Sequence, residues 1–137
     1  MWSTMPAATP LVSYTSPAVA VLLGCSSAPQ KNNTDARHEA ALEANRRGEA
    51  YVRHGELENA ARSYREALRL SQSLEDPDGI AANAINLSIV RQRQGRFADA
   101  RSSLGAVLEQ PHLRFAPLKL AEVCLRHALV DFAEGRF

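Results

Sequence analysis

The stretch GEAYVRHGELENAARSYREAL, residues 48–68, decides how this chain folds. Small and apolar residues recur three and four apart on both sides of Gly55: Gly48, Tyr51 and Val52 before it, then Leu57, Ala60, Ala61, Tyr64, Ala67 and Leu68. That spacing is helical. Gly55 breaks it where a helix C-terminus turns left-handed, a conformation glycine adopts without a Cβ clash. The stretch therefore predicts two helices joined by a tight turn.

Working outward, a 40-residue shift lays the sequence on itself. Gly55 falls on Gly95 and Gly135, Leu57 on Phe97 and Phe137, Ala60 on Ala100, Leu68 on Leu108, and Pro77 on Pro117. Ala44, Ala84 and Cys124 also coincide, all small. The pattern predicts an all-α chain with helices over 40–53, 57–74, 80–94, 97–110 and 118–134. These form units at about 41–79, 80–117 and 118–137, the last partial, and EDPDG (75–79) closes the first as a turn. Glu43–Arg47 and Glu58–Arg62 have the spacing of exposed i,i+4 ion pairs. Cys124 is three residues from His127, but its register with Ala44 and Ala84 predicts a buried small residue rather than a metal ligand. Phe137 falls in the turn after the third unit's first helix, so the chain is expected to stop in mid-unit. That fifth helix is apolar on most sides and is expected to seek a further neighbour, to self-associate or to fray.

Gly48, Tyr51, Gly55, Ala60, Tyr64 and Ala67 resemble the tetratricopeptide repeat at its own internal spacing, although the 40-residue period exceeds the usual ~34. The resemblance covers about residues 38–137. It implies an α-solenoid of antiparallel helix pairs, in which small residues allow close approach and aromatics fill the space beside them. It also implies that the first helix of each unit lines a concave groove. The groove residues would be Asn45, Glu49 and Arg53 in the first unit, Asn86, Ile89 and Arg93 in the second, and Arg126 and Leu129 in the third. Chaperone-binding members grip a terminal carboxylate with a Lys/Asn/Arg set. Here only Asn86 and Arg126 fit that set, with Asn45 and Glu49 standing where Lys and Asn would be needed, which argues against a chaperone adaptor.

The N-terminal part reads differently. Residues 1–24 carry no charged side chain, and the apolar run Ala18–Leu23 precedes Gly24 and Cys25. The run is too short to span a membrane, which takes about 20 apolar residues. VLLGC (21–25) resembles the lipobox of bacterial lipoprotein signals, which implies cleavage before Cys25 and lipidation of its thiol. Ser26 in the next position would favour sorting to the outer membrane, facing the periplasm. Such signals carry Lys or Arg near the start, whereas MWSTMPAATP has none. Residues 1–24 thus read as a signal peptide, 25–37 as a flexible tether, and 38–137 as the folded domain.

Net charge is +1, with 14 Arg against 2 Lys, and aromatics make up 6%. A nucleic-acid binder needs a clustered basic excess or stacking aromatics, so that class is disfavoured. No phosphate loop, His-Glu-x-x-His or paired-Cys spacing occurs. No catalytic site, cofactor, metal or small-molecule substrate is expected. The expected function is a non-catalytic scaffold that binds segments of other proteins in the groove and is held to the envelope membrane through Cys25. Alternatives are a soluble cytoplasmic adaptor or regulator, and a fragment of a larger enzyme or secretion component.

Overall fold

The computed structural model describes residues 32–136. They form α1 (Asn33–Arg53), α2 (Leu57–Ser73), α3 (Pro77–Arg93), α4 (Phe97–Leu108) and α5 (Pro117–Glu134). No strand occurs among the described residues. The signal-like segment 1–24, Cys25 and tether residues 26–31 lie outside them.

Each helix packs on the next, and α3 also meets α1 and α5. Being central, α3 is buried on almost every side, through Ile80, Ala81, Ala84, Ile85, Leu87 and Val90. Its sequence accordingly lacks a broad polar face. α2 is two-sided: Ala60, Ala61, Tyr64, Ala67 and Leu68 point inward, and Glu58, Arg62, Arg65 and Arg69 outward. α5 buries only Val123 and Val130, touching α3 and α4 alone.

The element boundaries repeat the sequence offset. α2 and α4 begin at Leu57 and Phe97, α3 and α5 at Pro77 and Pro117, and α1 and α3 end at Arg53 and Arg93. Gly55, Gly95 and Gly135 take φ of +76°, +72° and +80°. The residue after each glycine donates its N–H to a carbonyl five positions back, at 2.8–2.9 Å: Tyr51, Arg91 and Asp131 accept. The three helix ends are therefore closed in the same way.

Several expectations need correction. α1 starts at Asn33, so residues 33–37 are helix and not tether. Asp35 in the first turn suits the positive end of the helix dipole, and Ala36, Glu39 and Ala40 favour helix. Pro77, Asp78 and Gly79 belong to the first turn of α3 rather than to a closing turn, because proline's fixed φ and missing N–H cost nothing at a helix start. The bend is made one step earlier, at Glu75, with φ +51°. α4 stops at Leu108 ahead of Pro111.

Neither expected i,i+4 ion pair forms. Glu43 pairs with Arg46 at 2.6 Å, while Arg47 crosses to Glu66 of α2 at 2.7 Å. Glu58 crosses to Arg91 of α3 at 3.2 Å, and Arg62 bonds Asn59. For Arg47 and Glu58 a neighbouring helix brings opposite charge nearer than the same helix's next turn does, while Glu43 and Arg62 find partners three residues away. Cys124 is exposed, against expectation, because no described helix covers its side of α5.

Candidate binding surface

α3 adjoins α1 and α5 through side chains. Asn45 of α1 donates from Nδ2 to Asn83 Oδ1 of α3 at 2.6 Å. Asn83, 3% exposed, passes the chain on to Ser71 Oγ of α2 at 3.3 Å. A cavity of about 210 Å³ opens beside this relay, lined by Leu42, Asn45, Ala82 and Asn83 among others. At the other junction Arg126 of α5 donates from Nη2 to Gln92 Oε1 of α3.

The charges of Glu49, Arg53 and Arg93 all bear on the Tyr64 hydroxyl. Burial, and then the Glu49 carboxylate, raise the Tyr64 pKa above its ordinary value. Burial, and then the charge of Arg93, lower the Arg126 pKa. Arg126 Nε is buried without a hydrogen-bond partner. Arg53, Arg93 and Arg126 thus carry three positive charges along the side where α3 adjoins α1 and α5, with Glu49 opposing them. A guanidinium that is partly desolvated, short of one acceptor and close to another cation favours an anionic group beside it.

The expected groove residues divide as follows. Asn45 and Arg126 are half-buried and tied to α3, while Glu49, Arg53 and Arg93 are exposed near Tyr64. Asn86 is half-buried, Ile89 is half-buried against the core, and Leu129 is 43% exposed on α5. Asn83 is not among the expected groove residues. A lone Asn within the apolar run Ile80–Ile85 was the available signal, since a buried amide there needs partners.

Elsewhere among the described residues, four polar residues are buried: Ser63, Ser88, Arg91 and Ser103. Ser88 and Arg91 occupy the positions 40 after Gly48 and Tyr51, and both are buried. Arg91 Nη1 donates to Glu58 Oε2 at 3.2 Å and to Gln94 Oε1 at 2.8 Å. His127 Nδ1 stands 3.1 Å from Asp131 Oδ2 and Arg101 pairs with Asp131 and Glu134, so these groups are engaged with one another. Among the described residues no three His, Cys, Asp or Glu side chains are placed to hold a metal ion. None of their helices is long and apolar enough to cross a membrane. No family model, curated protein or solved structure matches this chain.

Proposed function

We propose that the folded part is a non-catalytic interaction module of the tetratricopeptide type, and that it holds a partner's extended or helical segment along the side where α3 adjoins α1 and α5. The segment carries acidic side chains. The observation that carries this reading is Arg126: partly desolvated, beside Arg93, with a buried Nε lacking an acceptor. A carboxylate beside the two guanidinium groups would offset their repulsion. The cavity beside Asn45 and Asn83 offers room for a small apolar or amide side chain further along the segment. The helix-pair repeat supports the reading, since stacked pairs commonly present such an extended surface.

In this proposal the module works as a scaffold in assembly of an envelope complex, tethered to the outer membrane through lipidated Cys25. The anchor rests on VLLGC alone. Fatty-acid labelling should mark the wild type and not Cys25→Ala, and the variant should move to the soluble periplasmic fraction. An unlabelled cytosolic wild type would remove the anchor and leave the cytoplasmic adaptor.

Binding is tested with matched acidic and basic peptides. Acidic peptides should bind more tightly, with affinity falling as salt rises. Asn86→Ala and Arg126→Ala should weaken that binding, and Arg62→Ala on α2 should not. The reverse result would place the partner on the side of α2 and α4.

A further inference from the structure

The outward face of α5 is open. Leu118, Leu125 and Leu129 are 79%, 62% and 43% exposed. Ala121, Cys124 and Ala128 are exposed as well. These three stand 40 residues after Ala81, Ala84 and Ser88, and 80 after Ala41, Ala44 and Gly48, all of which are buried. In α1 the stripe meets a covering helix, and in α3 it is buried. Tyr64 of α2 lies against Gly48, and α4 packs on α3. The same stripe recurs on α5 with no described helix over it.

The covering helices share a pattern of their own. α2 presents Ala60, Tyr64 and Ala67, and α4 presents Ala100, Leu104 and Val107, all buried. The pattern is a small residue, a large one four positions on, and a smaller apolar one three further. α5 displays it on its open face as Ala121, Leu125 and Ala128. One face therefore offers both the small-residue stripe and the large residue that covers such a stripe. Self-complementarity of this kind is what a two-fold contact between identical chains requires.

We propose that α5 packs antiparallel on α5 of a second copy, with Leu125 at the two-fold axis. Leu118, Ala121, Leu125 and Ala128 alternate at steps of three and four, the spacing of a helix–helix seam. Ala121 and Ala128 flank Leu125 and leave room for its counterpart, so the axes approach at the near end of the ~8–10 Å range. Charge does not oppose the contact. Glu122 borders the seam, already paired with Lys119 at 3.0 Å. Its counterpart lies six positions along the antiparallel helix, about 9 Å away at 1.5 Å per residue. Cys124 sits one position from the axis residue, so the two copies' thiols lie close together.

The test uses the full 137-residue chain with Cys25→Ser, which leaves Cys124 as its single thiol. Sedimentation should give twice the chain mass, and a short bismaleimide should join two chains through Cys124. Leu125→Glu places two carboxylates on the axis and should weaken dimerisation by about a hundredfold or more. Because Leu125 is mostly exposed in one copy, the helical spectrum and melting of that variant at low concentration should match the parent. Leu108→Glu, an exposed leucine on α4, should leave the dimer intact. A monomer throughout the concentration range overturns the proposal. If its α5 amides resist exchange, the face belongs to another segment of the same chain; if they exchange freely, it awaits a helix from a different protein. A dimer that survives Leu125→Glu and resists linkage through Cys124 also overturns it.

Discussion

Gly48 of α1 lies so close to Tyr64 of α2 that an added Cβ would stand 2.6 Å from ring atom Cε1. The missing side chain is what lets the first two helices meet over the aromatic ring. Forty residues on, Ser88 and Leu104 stand at the corresponding positions, both fully buried. A larger residue on one helix is matched there by a smaller one on the other.

Gly48→Ala should therefore destabilise the fold despite favouring helix. Alanine gains about 0.5–1 kcal/mol in a helix interior. Forcing the ring aside costs about 1–3 kcal/mol, and the upper part of that range applies because the approach is to ring atoms well inside contact distance. A net loss of about 1–2.5 kcal/mol is expected. Tyr64→Leu in the same chain should recover part of it, matching the Ser88 and Leu104 positions. Urea unfolding of the single and double variants checks this, and a neutral Gly48→Ala would mean that the helices separate freely.

Arg91 tests a different balance. Its side chain is 3% exposed, whereas its partner Glu58 is 56% exposed. Arg91→Met keeps most of the volume and removes a buried charge, while the carboxylate left behind can hydrate. Such replacements are often neutral or stabilising. Stability within about 1 kcal/mol of wild type is expected for Arg91→Met, and a loss of about 2–4 kcal/mol for Arg91→Ala, which opens a cavity. Thermal unfolding separates the two. Equal losses would show that the guanidinium itself holds α2 to α3.

The helices were legible in the sequence for a simple reason. Around Gly55, local spacing, turn chemistry and burial all agree, so a 40-residue offset locates the starts of α2, α4 and α5 within a residue. Where a second element intervenes, the sequence misleads. Arg47 and Glu58 look like members of same-helix pairs but bond across to neighbouring helices. Cys124 reads as core by register, yet its exposure depends on what packs over α5. Asn86 stands out as a groove residue, while Asn83, three positions away, makes the buried bonds. Which amide turns inward depends on the placement of Asn45 and Ser71, and no spacing rule encodes that.

Acid should weaken the link from α2 to α3. The Glu58 pKa lies below its ordinary 4.5, first because Gln94 donates to the carboxylate, then through the charges of Arg91 and Arg96 against an opposing effect of burial. The folded chain holds this proton less tightly than the unfolded one. The group's contribution is therefore complete above pH 4.5 and lost as pH falls through the lower folded value. Glu58→Gln should be less stable than wild type near neutrality, and the two should converge below that pH. Urea midpoints measured from neutral to acid check this, and a constant gap between the two curves would contradict it.

The Asn45–Asn83–Ser71 relay gives the sharpest prediction, because its members differ in access to water. Ser71 and Asn83 are buried, and Asn45 is half-buried. Asn83→Ala removes the central amide and leaves the Ser71 hydroxyl buried with its donor gone. Stranding a buried polar group costs about 1–3 kcal/mol, and a loss in the upper half of that range is expected. Asn45→Ala leaves Asn83 Nδ2 bonded to Ser71 and widens the cavity beside Asn83 Oδ1, so that water can replace the lost donor. The loss should be about 1 kcal/mol. The double variant should lose less than the sum, with a coupling of about 0.5–3 kcal/mol as for contacting residues. Since the relay stands beside the cavity between α1 and α3, Asn45→Ala should also lower affinity for the acidic peptide at temperatures where the fold is intact. Additive losses in the cycle would mean that the 2.6 Å bond between the two amides contributes nothing to stability.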